Sequence, residues 1–207
     1  MLLKNHDKVI IILEKLITKI FSTEYFYAPN IKILIDMNAL EGFLLTGYTV
    51  GNTSDKFNYT IKIYNSGLRY RNDIDCLDNC RIGDYLNYRI NKLNPKIDFR
   101  KIGVPKQFVN LLFITLHEIM HIVDFLDADT DYLSTIYLQK QALSLIKVTD
   151  SLMYLNDMAY PYMSCVLYRN IFPEKQVNER VVEFVNNNLQ YVLDILDEIV
   201  LEENNEH

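Results

Sequence analysis

The chain has few residues of the types that form cross-links or interrupt regular structure. Of its 207 residues, three are cysteine, six glycine, five proline and none tryptophan. An odd set of cysteines without the paired spacing of a zinc ribbon favours a reducing compartment, although Cys76 and Cys80 could still form one disulfide. Because no stretch is rich in proline, glycine or serine, we predict one folded domain over residues 1–207.

Long hydrophobic runs and excess positive charge are also missing. No segment approaches the roughly 18 to 20 uninterrupted apolar residues that span a bilayer. Residues 1–21 carry Asp7, Glu14 and four lysines without a small-residue cleavage site, which predicts an amphipathic helix rather than a signal peptide. The net charge of −6 disfavours a general nucleic-acid or anionic-membrane binder. We therefore expect a cytoplasmic protein with neither nucleic acid nor membrane as a partner.

The hydrophobic pattern changes between the two halves of the chain. In residues 1–103, an opening helix precedes alternating apolar and polar residues at 57–64, which with 43–50 predict a hairpin in a small antiparallel sheet. In residues 104–207 the pattern is helical, and 106–126 runs without glycine or proline. The predicted fold class is α+β, with a small N-terminal sheet followed by a mainly helical half.

Residues 117–121 read His-Glu-Ile-Met-His within a predicted helix. At about 100° per residue, His117 and His121 lie about 40° and one turn apart, so both imidazoles can reach one metal ion. Zinc is the best candidate, because it accepts mixed nitrogen and oxygen ligands and lowers the pKa of a bound water. Glu118 points away from the two histidines and is expected to be the general base for that water.

The surrounding helix is apolar except for one polar stripe, formed by Asn110, His117, His121 and Asp124, which predicts a buried active-site helix. Asp124 is about 10 Å along the axis from His117, too far for both to bind one ion. It is expected either to support the site from its edge or simply to be polar at a helix end.

The third ligand cannot readily be a histidine, because the remaining two are His6 and His207, near the termini. A carboxylate is expected, with Cys165 as a weaker candidate. The segment 178–183 on the final helix is the best source, and the i, i+4 spacing of Glu179 and Glu183 places both carboxylates on one helical face. Other candidate ligands are Glu174, Asp157 and Cys165.

His-Glu-Ile-Met-His, followed downstream by Asn-Glu-x-x-x-Glu, resembles the gluzincin branch of the zincin metallopeptidases over residues 105–185. The resemblance implies a zincin-like fold, Glu179 as the third zinc ligand, and Glu183 as the acceptor of a hydrogen bond from a ligand histidine. It also implies an edge strand beside the cleft, which the 43–64 hairpin could supply.

The resemblance implies a zinc-dependent metallopeptidase (a hydrolase) acting on a protein or peptide substrate, and we expect that substrate to be one specific intracellular protein. A tyrosine is the expected oxyanion donor, and candidates between the two motifs are Tyr160, Tyr162 and Tyr168. Two alternatives remain: a non-catalytic zincin-like module that recognises a partner protein, and a helical interaction protein with two buried histidines.

Overall fold

The computed structural model describes residues 3, 5–24, 28–36, 47–52, 55–64, 82–127, 141 and 172–204. Five helices and three strands lie within these ranges. In chain order they are α1 (His6–Glu24), β1 (Asn30–Asp36), β2 (Gly47–Asn52), β3 (Asp55–Tyr64), α2 (Ile82–Leu93), α3 (Lys106–Asp127), α4 (Phe172–Asn187) and α5 (Leu189–Asn204). The mixture of helices and strands confirms the α+β class, and helix predominates.

The three strands form one sheet in the order β1–β3–β2. β2 pairs antiparallel with β3, whereas β1 pairs parallel with β3, with Ile33 opposite Ile61. The prediction of an antiparallel sheet is therefore wrong, because the pair that includes β1 is parallel. Alternating side chains of β1 and β3, including Ile31, Ile33, Ile61 and Ile63, are buried on one face of the sheet, as a strand with period-2 patterning requires.

α3 is the central element of the fold. It contacts α1, α2, α4, α5, β2 and β3, and every side chain from Phe108 to Val123 is buried. By length and composition alone the helix could cross a membrane, and 78% of its most apolar window is buried inside the protein. The sequence prediction of a helix over 106–126 is confirmed.

α4 and α5 are two consecutive helices separated by a single residue, Asn188. The chain remains hydrogen-bonded through the break, since Asn188 N donates to Phe184 O and Val192 N donates to Asn188 O. α5 then packs beside α1, where Lys8 pairs with Glu202 and Lys15 with Glu198. The interruption falls at the last of three consecutive asparagines, 186–188, a residue type with low helix propensity.

Candidate metal centre

Three side chains from two helices converge at the middle of α3. His117 and His121 project from α3, and Glu174 comes from the first turn of α4. Their relative exposures are 7%, 9% and 5%, respectively, so all three are withdrawn from bulk water. One candidate ligand atom from each lies within 4.8 Å of the other two. This buried triad could hold a metal ion.

The separations between these atoms match those of ligands around a small ion. The two Nε2 atoms of His117 and His121 are 3.2 Å apart. His117 Nε2 lies 3.1 Å from Glu174 Oε2, and His121 Nε2 lies 3.4 Å from Glu174 Oε1. Neighbouring ligands of a tetrahedral ion with bonds of about 2.0 to 2.1 Å are about 3.3 Å apart. These separations are compatible with three ligand atoms around one metal ion.

Asn178 fixes the orientation and protonation of one histidine. Its Oδ1 is 3.1 Å from His117 Nδ1. An amide oxygen only accepts hydrogen bonds, so His117 Nδ1 carries the proton, which leaves the Nε2 lone pair free in the neutral ring. Metal-binding histidines generally donate their second ring nitrogen to such a partner. Asn178 lies one helical turn after Glu174, so a single face of α4 supplies a ligand and its support.

Glu174 and the two histidines stabilise one another's charged forms, which shifts the pKa values of Glu174 and His121. Burial would raise the pKa of the Glu174 carboxyl, but the adjacent imidazoles of His117 and His121 outweigh it and hold that pKa well below its usual range. Burial would lower the pKa of His121, but the hydrogen bond and charge of Glu174 raise it to about 8. The site is thus electronegative enough to attract a cation, whether proton or metal.

Glu118 is the second buried carboxylate of the site, only 5% exposed. Its Oε2 accepts a hydrogen bond from Thr49 Oγ1 of β2, at 2.8 Å. Its charge nevertheless acts on His121, whose pKa it helps to raise. Glu118 is therefore hydrogen-bonded to the sheet, while its charge acts on a histidine of the triad.

The structure does not bring Glu179 or Glu183 to the histidines. Both are exposed on another face of α4, where they line a groove with Arg89 of α2. Glu174, one of the alternative candidate ligands, faces the histidines in place of Glu179. Asn178 lies at the ring nitrogen of His117 in place of Glu183. The physical reason is the register of α4: five residues rotate a helix by about 140°, which turns Glu179 away from α3.

Asp124 forms its ion pair and hydrogen bond with residues of α4 rather than with either histidine. Its Oδ1 lies 2.6 Å from Arg180 Nε and 3.4 Å from Gln176 Nε2, and the same guanidinium reaches Asp127. Burial raises the pKa of Asp124 above its usual value, although Arg180 opposes this. Asp124 therefore helps to hold α4 against the end of α3. The remaining candidates, Tyr160, Tyr162, Tyr168, Asp157 and Cys165, lie outside the described residues.

The hydrophobic face of α4 is the signal that could have identified Glu174 and Asn178. With Glu174 taken as zero, Val177, Asn178, Val181 and Val185 all fall within roughly 60° of it, whereas Glu179 and Glu183 lie about 140° and 180° away. Asn178 and the three valines are buried. A carboxylate and an amide on the buried face of a helix need polar partners, and the histidines supply them for the Glu174 carboxylate and the Asn178 amide oxygen.

Comparison of the chain with protein-family models, with curated proteins and with solved structures finds no significant match.

Proposed function

We propose that this protein is a zinc-dependent metallopeptidase. The observation that carries the proposal is the buried set of two histidines and one glutamate, with a further buried glutamate between the histidines in sequence. Two imidazoles and a carboxylate are a common donor set of catalytic zinc, and they leave a position for water or substrate. Zinc-like bond lengths also agree with the separations of the ligand atoms.

The metal would supply Lewis acidity, by polarising a carbonyl group and lowering the pKa of water. The chain's own residues would do the rest. Glu118, buried and next to His117, would accept the proton of the attacking water and then donate it to the leaving amine. Because Thr49 occupies Oε2, the other oxygen, Oε1, is left to take that proton. Asn178 keeps His117 in the tautomer that presents Nε2.

The resemblance to gluzincins supports this proposal if Glu174, and not Glu179, is the glutamate ligand. The branch pairs a glutamate ligand with a supporting residue four positions later, and Glu174 and Asn178 have that spacing. Asn178 is an amide where an acidic residue is expected, yet its oxygen still accepts the hydrogen bond from His117 Nδ1. The arrangement therefore keeps the orientation of the histidine, while the neutral amide adds no negative charge to the site.

The test is metal-dependent hydrolysis of a quenched-fluorescent peptide library. We expect the zinc-loaded wild type to cleave some members of the library, chelation to abolish cleavage, and zinc to restore it. Glu118→Gln should retain zinc but lose roughly 10²- to 10⁴-fold in rate, because the general base is gone. Glu179→Gln, the same substitution at an exposed position of α4, is the matched control and should cleave like wild type.

Two outcomes would contradict the proposal. Cleavage that persists unchanged in Glu118→Gln would come from a contaminating protease. A wild type that binds one zinc per chain but cleaves no peptide would favour the alternative, a zincin-like module that recognises a partner without hydrolysing it.

A further inference from the structure

Thr49 forms a polar contact between the sheet and the central helix. Thr49 lies in the middle of β2, where it pairs with Ile61 of β3. Directly opposed residues of an antiparallel pair project to the same face of the sheet, and Ile61 is fully buried. Thr49 is thus a polar residue on the face that packs on α3. Its hydroxyl oxygen lies 2.8 Å from Glu118 Oε2 and 3.1 Å from Glu118 O.

The direction of this hydrogen bond follows from chemistry. An ionised carboxylate and a carbonyl group only accept, so the Thr49 hydroxyl donates its one hydrogen, either to Oε2 or shared with the carbonyl oxygen. A hydrogen bond to a charged acceptor is stronger than one between neutral groups. The contact therefore fixes the Glu118 carboxylate relative to its own backbone, and within the described residues no other side chain bonds to it.

The local structure of β2 keeps Thr49 in place. A β-branched side chain has few rotamers, so its hydroxyl direction is well defined once the strand is paired. Gly47 and Gly51 stand two residues before and after Thr49, opposite the buried Ile63 and Tyr59 of β3. Because the face of β2 towards α3 carries no other side chain at these positions, the strand can approach the helix closely enough for the hydroxyl to reach Glu118.

We propose that Thr49 is a positioning residue for the general base: its hydroxyl holds Glu118 Oε2 and so aims Oε1 at the proton that the base must take. This inference rests on the proposed function. The ordinary alternative is that the hydroxyl only satisfies a buried carboxylate. The two accounts differ in what they predict for turnover, because a positioning role affects the chemical step and leaves metal and substrate binding intact.

The experiment compares Thr49→Val, which keeps the shape and removes the hydroxyl, with Thr49→Ser, which keeps the hydroxyl. Each zinc-loaded variant is assayed on the best peptide of the library, with zinc content and thermal unfolding measured beside it. We expect Thr49→Val to lower kcat on the order of 10- to 100-fold with KM unchanged within about twofold. Thr49→Ser should stay within about threefold of wild type, and both should hold one zinc.

Thr60→Val is the matched control, because Thr60 is on β3 beside Ile61 and projects to the other face of the sheet. Its kinetics should equal those of wild type. A Thr49→Val protein with wild-type kcat would overturn the inference and leave the proposed function standing. Equal losses in Thr49→Val and Thr49→Ser would also overturn it, since packing rather than the hydroxyl would then be responsible. A wild type without activity would instead overturn the proposed function, and this role with it.

Discussion

Replacing Glu174 with glutamine tests the ligand assignment most sharply. The substitution keeps the shape of the side chain, removes the charge that faces His117 and His121, and leaves an amide oxygen as a weaker ligand. Glu179→Gln makes the same chemical change five residues later, at an exposed position in the groove beside Arg89. The two variants therefore differ in whether the altered carboxylate faces the triad.

The expected size of the effect follows from the number of ligands. Structural zinc sites with four protein ligands bind with about 10 to 16 kcal/mol, or about 2.5 to 4 kcal/mol per ligand. A loss of that size raises the dissociation constant roughly 10²- to 10³-fold. At a free zinc concentration about 100-fold above the dissociation constant, binding stabilises the folded state by about 2.7 kcal/mol. For a chain of this length, this stabilisation corresponds to a rise in Tm of about 5 to 10 °C.

The assay is a zinc titration against a competing chelator, followed by thermal unfolding with and without zinc. Wild type and Glu179→Gln should bind equally well and show the same zinc-dependent rise in Tm. Glu174→Gln should bind 10²- to 10³-fold more weakly and show little rise at the same zinc concentration. Equal affinities for Glu174→Gln and wild type, or a loss in Glu179→Gln instead, would refute the assignment.

Three further outcomes are expected. Asn178→Ala should weaken zinc binding about 10- to 100-fold in the same titration, because His117 loses the acceptor that orients it; unchanged affinity would contradict that role. Arg180→Gln should lower the free energy of unfolding by about 1 kcal/mol in urea, since Arg180 is about one-third exposed yet bridges Asp124 and Asp127; equal stability would show that the bridge contributes nothing. The Arg100 guanidinium holds the pKa of Asp98 well below its usual value of 3.8, so its contribution is present above that value and is lost as pH falls below it. The stability difference between wild type and Asp98→Asn, measured by urea unfolding, should therefore shrink as pH falls from 5 to 2, with a constant difference contradicting the argument.

Local patterns in the sequence predicted the central helix and the residues that it contributes. The absence of glycine and proline from 106–126 predicted the length of α3. The i, i+4 spacing of His117 and His121 places them on one face whatever surrounds them. The break after Asn187 was also predictable, because three consecutive asparagines are poor helix formers. These features depend on neighbours in sequence and are therefore visible without the structure.

Features set by distant contacts could not be predicted in the same way. The pairing of β1 with β3 depends on how the chain returns to the sheet, and alternation along a strand does not encode the direction of its neighbour. On α4, both Glu174/Asn178 and Glu179/Glu183 have ligand-and-support spacing, and packing against α3 selects the first pair. Thr49 approaches Glu118 across 69 positions of sequence, so no local pattern links them.

We propose that His117, His121 and Glu174 form one zinc centre. X-ray absorption at the zinc edge of the protein loaded with one equivalent of zinc tests it most directly. We expect two imidazole nitrogens and one or more oxygens at about 2.0 to 2.2 Å from the zinc, with no sulfur ligand. A zinc–sulfur distance of about 2.3 Å, which would indicate a cysteine such as Cys165, would contradict it, as would a chain that binds no stoichiometric zinc.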